Sequence, residues 1–343
     1  MPSPKKRVNI KIVAQEAGVS TQTVSRVINN RPDVAESTRQ HVLAVINQLD
    51  YRPSALARSL IRQRSHTLGV VTAGLGYWGP SRTLNGIADQ AEAMGYSLLL
   101  KELPRFDLDN VEPITNALLA SQVDGVIWAV AEVGNNHAWL RDSYPHLSVP
   151  IVFLTMQPYA GLTTVSVNNH LGAQMVVEHL LERGYRRIGH ITGPLTWWEA
   201  QQRKAGWETA LTAAGLPPDA THWAEGDWDA AGGQQAFQQL RQQYPAMDAV
   251  FVANDQMALG VLQLACKTGI RVPQDLAVAG FDNRPESEFY WPPLTTVKHN
   301  LRDLGSQAVQ KIVQIIEQEQ PSELTGMTTW VTPELIIRAS TTP

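Results

Sequence analysis

The chain has 343 residues, 43% apolar and 17% charged, with 28 Lys/Arg against 32 Asp/Glu and a net charge of −4. That length suits two or three units better than one. No run of about 18 apolar residues is present, which excludes a spanning helix; the opening Met-Pro-Ser-Pro-Lys-Lys-Arg lacks the apolar core of a secretory signal, and the single Cys266 excludes an internal disulfide or a cysteine-rich metal site. A protein of the reducing cytoplasm, without membrane, metal or cofactor, is expected.

The net charge conceals a division. Residues 1–64 hold eleven Lys/Arg and four Asp/Glu, a balance of +7, which leaves −11 for the remainder. A basic head on an acidic body is the electrostatic footprint of a nucleic-acid binder. Within that head, Ile10, Val13, Ala14 and Ala17 form one apolar stripe of a helix, with Asn9 at the N-cap position. Gly18 ends it with the positive φ that a tight turn needs, Val19 fills the angle, and Ser20 is placed to cap the next helix. That second helix, about Thr21 to Asn29, buries Val24, Val27 and Ile28 and shows Thr21, Gln22, Ser25, Arg26 and Asn29. After a turn at Arg31-Pro32-Asp33, a third helix from about Ser37 buries Val42, Val45, Ile46 and Leu49. This is a helix-turn-helix. Gln pairs with adenine and Arg with guanine, so Thr21, Gln22 and Arg26 are expected to reach base edges in the major groove.

The run from Ile12 to Asn29 (IVAQEAGVSTQTVSRVIN), continued by Pro32, Val34, Thr38, Arg39, Leu49, Tyr51 and Pro53, resembles the head of the lactose/galactose repressor family. The resemblance implies base contacts from Thr21, Gln22 and Arg26, and phosphate contacts from Ser20, Thr23, Ser25, Asn29 and Tyr51. Ala35 departs from it, standing where the family often caps the third helix with Ser, so a weaker helix start is expected. Residues 53–66 are short and basic, too brief for a stable isolated helix. By resemblance, paired hinge helices from two subunits place Ser54 and Arg58 on the DNA and wedge Leu60 into the minor groove.

From Thr67 onward, apolar runs alternate with amphipathic stretches. Strands are expected at Leu68–Val71, Ser97–Leu100, Gly125–Val130, Ile151–Leu154, Ile188–Ile191, Ala249–Val252 and Leu276–Ala279, with helices such as Ser81–Met94, His170–Arg183 and Gln256–Lys267 between them. Such alternation implies an α/β fold of parallel sheets covered by helices. The resemblance implies two lobes like those of periplasmic binding proteins, with a ligand in the cleft. The expected division is a head over 1–52, a hinge over 53–66 and a two-lobed body over 67–343. Crossings are expected near Val165, Leu294 and Gly326, so that the first lobe takes 67–164 and 295–325 and the second 165–293 and 326–340.

Ligands in open α/β folds lie beyond the carboxyl ends of strands. By resemblance Arg203, Asn254 and Asp282 hydrogen-bond ligand hydroxyls, and Trp228 covers its apolar face; Asp255 is expected only to cap a helix. Five of ten tryptophans fall within residues 197–228. Trp207 reads as core, whereas Trp197 and Trp198 lie in a loop and read as pocket residues. Aromatic faces beside Arg and Asp suit a saccharide, a monosaccharide or something larger. Tyr77, Trp78, Ser81, Arg82 and His299 are further candidates for the cleft. Thr155 stands where relatives often have an acid.

The whole then reads as a ligand-responsive repressor, a homodimer on a palindromic double-stranded operator, with no heptad tail after Ile337 to build a tetramer. Two readings compete. One keeps the architecture but responds to a purine or a partner protein. The other is a dinucleotide-binding oxidoreductase, because Gly74 to Gly79 (GLGYWG) fits G-x-G-x-x-G with Glu102 downstream. Against it, Tyr77 and Trp78 are bulky where a pyrophosphate must approach.

Overall fold

The computed structural model describes residues 8–28, 31–51, 64–108, 110–142, 147–318 and 326–342. Two compact units divide at His66–Thr67.

The head has three helices, α1 (Ile10–Glu16), α2 (Thr21–Ile28) and α3 (Glu36–Gln48). Asn9 caps α1, its Oδ1 accepting the Lys11 and Ile12 N–H groups at 3.0 and 3.2 Å. Gly18 takes φ +63° in the turn. The apolar stripes meet in a core of Val13, Ala14, Ala17, Val24, Val27, Val42, Val45 and Tyr51. Ala35 occupies the N-cap of α3 and provides no side-chain hydrogen bond, as its missing hydroxyl requires.

The body contains two six-stranded sheets. The first has the order β11-β5-β4-β3-β1-β2, where β1 is Thr67–Ala73, β2 Ser97–Leu103, β3 Gly125–Ala129, β4 Ile151–Leu154, β5 Thr163–Val167 and β11 Thr328–Val331. All its pairings are parallel. The second has the order β12-β10-β9-β8-β6-β7, where β6 is Ile188–Thr192, β7 Trp223–Glu225, β8 Ala249–Val252, β9 Ala277–Phe281, β10 Thr295–Lys298 and β12 Glu334–Ile336. It is parallel except for β12, which runs antiparallel to β10.

All three crossings lie later in the chain than their expected positions near Val165, Leu294 and Gly326. Strand β5 stays in the first sheet, β10 in the second and β11 in the first. The chain therefore changes lobe at Asn168, at His299–Asn300 and at Thr332–Pro333. Each displaced segment is a strand rich in threonine (TTVSV, TTVK, TTWV). Thr163, Thr164, Ser166, Thr295 and Thr296 are nonetheless buried. The Ser166 hydroxyl donates to the Met156 carbonyl and that of Thr295 to the Arg338 carbonyl, both at 2.9 Å. Such bonds let a polar strand enter a core.

Helices cover both sheets. The returning helix Leu301–Glu317 buries Leu304, Ala308, Val309, Ile312 and Val313 against the first sheet. It touches the helix Trp78–Ala93 closely: a Cβ on Gly86 would lie 2.0 Å from the Arg302 carbonyl oxygen, and one on Gly305 would lie 2.3 Å from that of Thr83. Among the described residues no helix is long and apolar enough to cross a membrane.

Candidate functional site

The head presents Thr21, Gln22 and Arg26 as exposed residues on α2, opposite the buried Val24 and Val27. Arg26 pairs with Asp33 at 3.6 Å, both side chains about half exposed. An exposed pair of that kind is worth roughly 0–1 kcal/mol, so it is easily exchanged for another partner. The Ser20 hydroxyl accepts the Thr23 N–H at 3.0 Å and pairs with the Thr23 hydroxyl at 2.9 Å, capping α2. Ser25 is half-buried. Tyr51 packs its ring into the head core. Asn29, Ser54, Arg58 and Leu60 lie outside the described residues.

In the body, the carboxyl ends of both sheets flank a cavity lined from both lobes. The first lobe supplies Tyr77 and Trp78 after β1, Ala129 and Ala131 around the end of β3, and Thr155 after β4. The second supplies Trp197 and Glu199 after β6, Trp228 after β7, Asn254 after β8, Asp282 after β9 and His299 after β10. Seven of the eight expected ligand residues therefore converge: Trp78, Trp197, Arg203, Trp228, Asn254, Asp282 and His299.

Arg203 is the electrostatic centre. It is 5% exposed. Its Nε donates to Asn169 Oδ1 at 2.9 Å and its Nη1 to the Ala253 carbonyl at 2.5 Å. The guanidinium stacks over Phe281 at 3.9 Å and lies 5.5 Å from the Trp228 ring centre. Nη1 is also 3.7 Å from Asp282 Oδ1. That same oxygen pairs with His299 Nε2 at 2.9 Å. Burial pulls Arg203 below its ordinary pKa, while the Asp282, Glu199 and Asp255 carboxylates act in the opposite direction. Asp282 sits at φ +112° and Trp228 at φ +78°, a strain of order 1–3 kcal/mol each that surrounding contacts must hold.

The Trp228 ring lies against Gly193, where an added Cβ would be 2.2 Å from it. The Asn254 amide donates to the Trp228 carbonyl at 2.9 Å, and its oxygen accepts the Met257 N–H at 2.8 Å. Asn254, rather than the expected Asp255, is thus the helix cap. Asp255 is fully buried beneath it, accepting the Thr296 hydroxyl at 2.5 Å and the Arg284 N–H at 2.8 Å. Burial, reinforced by the charge of Asp282, pushes the Asp255 carboxyl up to about 8 despite those donors.

Trp198 is the exception among the expected ligand residues. It is buried away from the cavity and stacks on Trp330, ring centres 6.4 Å apart. The cause is local. Residues 196–198 run antiparallel to residues 132–134 of the other lobe, with Gly134 N–H donating to Thr196 O at 2.8 Å and Trp198 N–H to Glu132 O at 3.0 Å. Adjacent side chains of an extended segment point to opposite sides. Trp197 takes the cavity and Trp198 the far face. Of the other first-lobe candidates, Tyr77 lines the cavity but Ser81 and Arg82 do not. The Ser81 hydroxyl bonds the carbonyls of Leu75 and Tyr77, and Arg82 lies 4.1 Å above Trp78.

Sequence reasoning passed over Glu199, Gln256 and Arg284, which also line the cavity. Burial pushes the Glu199 carboxyl up to about 7, against the attraction of Arg203 and with added repulsion from Asp282. Arg284 reaches across the cleft to within 5.1 Å of the Trp78 ring centre and donates to Gln256 at 2.6 Å. The only sequence signal for Glu199 was its place one turn before Arg203 in a helix opening on the cleft.

The glycine pattern at 74–79 does not form a dinucleotide cradle. Added Cβ atoms on Gly76 and Gly79 would meet nothing within 4 Å, so neither enforces the close approach that such a fingerprint needs. Glu102 accepts the Leu75 N–H at 3.3 Å, and Trp78 lines the cavity itself.

Comparison with known proteins agrees with this architecture. Residues 9–54 match the model of bacterial regulatory proteins, lacI family, and residues 177–341 that of a periplasmic binding protein-like domain. The lactose operon repressor of Escherichia coli (strain K12) is 34% identical over 310 residues, 90% of this chain and 85% of that protein. The HTH-type transcriptional repressor PurR of Haemophilus influenzae (strain PittEE) is 33% identical over 333 residues, 96% of this chain and 98% of that protein. The crystal structure of the lac repressor dimer bound to operator and the anti-inducer ONPF superposes with a TM-score of 0.87 at 33% identity, covering 98% of this chain and 99% of that one. A DNA-reading head, a two-lobed body with a cavity between the lobes, and relatives of one kind matched over most of both chains lead to one conclusion: the chain belongs to the lacI family of bacterial regulatory proteins and is a ligand-responsive, sequence-specific DNA-binding transcription regulator.

Proposed function

We propose that the effector is a saccharide bound between the lobes, and that it changes the affinity of a homodimeric repressor for a palindromic operator. The observation that carries this reading is the pairing of a tryptophan face with a fixed row of polar groups. Trp228 offers an apolar surface for sugar C–H groups beside Arg203, Asp282 and His299. Asp282 meets the Arg203 guanidinium and the His299 ring through Oδ1, so its Oδ2 is available to a hydroxyl pair. The Trp228 indole N–H and His299 Nδ1 are buried without a hydrogen-bond partner. Buried unpaired polar groups cost about 1–3 kcal/mol, a cost that hydroxyl oxygens and protons remove. A purine, which the name of the PurR relative suggests, would satisfy Arg203 and Trp228 but has no array of hydroxyls for Asp282.

The ligand acts as a population shifter. It contacts both lobes, so it favours the lobe arrangement in which those contacts coexist, and only by its difference in affinity between arrangements. On the DNA, Thr21, Gln22 and Arg26 read bases. Ser20, Thr23, Ser25, Asn29, Tyr51, Ser54 and Arg58 serve the backbone, and Leu60 wedges the minor groove. Two heads on two half-sites require a dimer.

The test is calorimetric titration with mono- and oligosaccharides, nucleobases and nucleosides. A saccharide must bind and must shift the affinity for an operator selected from random DNA. Binding of a nucleobase alone would transfer the reading to a purine regulator. Sedimentation must find two chains per operator, and Leu60→Ala must reduce operator bending.

A further inference from the structure

A second depression adjoins the first. It is an open groove, lined by Arg105, Phe106, Val133, Asn136, Thr196 and Trp197 among others. Trp197 borders both spaces. The aromatic rings run in sequence from inside to outside: Trp228 to Trp197 with centres 5.9 Å apart, then Trp197 to Phe106 at 4.6 Å. Tyr77 closes the row, 5.9 Å from Phe106 and 6.1 Å from Trp197.

The groove wall is built, not incidental. Phe106 seats on Gly74, where a Cβ would be 2.3 Å from its ring and where the backbone φ is +63°. Asn136 pins the neighbouring loop: its amide donates to the Phe106 and Ala131 carbonyls at 2.8 and 2.9 Å, and its oxygen accepts the Val133 N–H at 3.2 Å. Around these rings stand the exposed polar residues Arg105, Asp107, Asn135 and Thr196. Arg105 and Asp107 pair at 3.3 Å with most of both side chains in water. An aromatic platform with a wet, polar margin fits a pyranose ring with its hydroxyls turned outward.

Resting on the saccharide reading above, we infer that this groove is a second sugar subsite, and that the effector is an oligosaccharide or glycoside. One unit occupies the inner cavity against Trp228. The next passes the edge of Trp197 and stacks on Phe106. Lobe contact strengthens the arrangement, because Phe106 belongs to the first lobe and Trp197 to the second.

The experiment compares a monosaccharide with its own oligomers on the full chain. The probes are glucose, galactose, xylose and mannose, and the α- and β-linked di- and trisaccharides of each, titrated calorimetrically. The expected result is that one disaccharide binds at least about tenfold tighter than its monomer, equivalent to about 1.4 kcal/mol. Phe106→Ala, at a residue that lines the outer groove and not the inner cavity, removes that gain and leaves the monosaccharide affinity within about twofold. Asn135→Trp fills the groove from its exposed margin and does the same without disturbing the Gly74 contact. Three results overturn the inference while leaving the saccharide reading intact: a monosaccharide binding as tightly as every oligomer, an oligomer unaffected by both variants, or equal losses for monomer and oligomer. Failure of every sugar to bind the wild-type chain overturns both.

Discussion

At the residue scale, Arg203 shows how the site holds a charge out of water. Three features offset its burial: two neutral acceptors, an aromatic face, and the Asp282 carboxylate. The planar guanidinium satisfies these directions at once, which a lysine ammonium cannot. Arg203→Lys is therefore expected to weaken effector binding by about 100-fold, roughly 2.7 kcal/mol, with operator binding by the free protein retained. Gly193→Ala is the complementary case, because its methyl collides with the Trp228 ring; calorimetry should show weakened effector binding without loss of the head. Glu199 gives a test by pH. Its carboxyl is raised from 4.5 to about 7 by burial first. Folding thus favours the protonated form, and that contribution is complete below about pH 4.5 and lost as pH rises through about 7. Glu199→Gln cannot titrate. Relative to wild type, the variant should gain stability between pH 5 and pH 8, by about 1 kcal/mol after allowance for solvent reaching the cavity. Parallel Tm curves for the two proteins would refute it.

At the scale of the element, helix ends and close approaches decide more than propensity. Helix α3 begins at Ala35 without a side-chain acceptor for its first N–H groups. Ala35→Ser supplies one and should stabilise the head by about 1 kcal/mol, measurable as a higher Tm with unchanged base preference. The helices Trp78–Ala93 and Leu301–Glu317 meet through Gly86 and Gly305, each within van der Waals reach of the other's backbone. Gly86→Ala should force them apart and cost about 1–3 kcal/mol, seen as a lower Tm of the body. Much of the first lobe depends on that contact, since the second helix arrives more than 200 residues later. The sequence reading placed helix α1, the Gly18 turn and the exposed face of α2 because their signals are local. It misplaced Trp198, because a bridge to residues 132–134 made the start of its helix extended. No local pattern announces a partner some sixty residues away.

At the scale of the whole molecule, opposite charges are segregated along the chain, +7 before residue 65 and −11 after it. Operator affinity should fall steeply with salt, as phosphate-bound cations are released. Arg58→Ala should lower the slope of log K against log salt by about 1 across all sequences. Arg26→Ala should instead relax preference at one base position, at a cost of about 1–3 kcal/mol. The body links its lobes by paired backbone bonds at 132–134 and 196–198, by Trp198 on Trp330, and by Arg284 beside Trp78. Trp78, Arg284 and the bridge residue Trp197 line the cavity, so a ligand there is energetically coupled to the lobe arrangement. Coupling is reciprocal: operator DNA must change effector affinity by the factor with which effector changes operator affinity.

The amino-acid sequence alone determined the helix-turn-helix, the charge division and the alternation of strands and helices, and with the family resemblance it pointed to seven residues that line the cavity among the eight expected. Those signals are periodic or follow strand ends, and need only neighbours in the chain. Tertiary structure decided where the chain changes lobes, because a buried strand such as Thr163–Val167 shows no apolar run and meets partners for its polar groups, as Ser166 does at the Met156 carbonyl, only in the fold. It also decided which of two adjacent tryptophans faces the ligand space, and it brought Glu199, Gln256 and Arg284 to that space from separate helices and loops. Orientation across the cleft depends on pairings between distant segments, and those exist only once both lobes have folded around it.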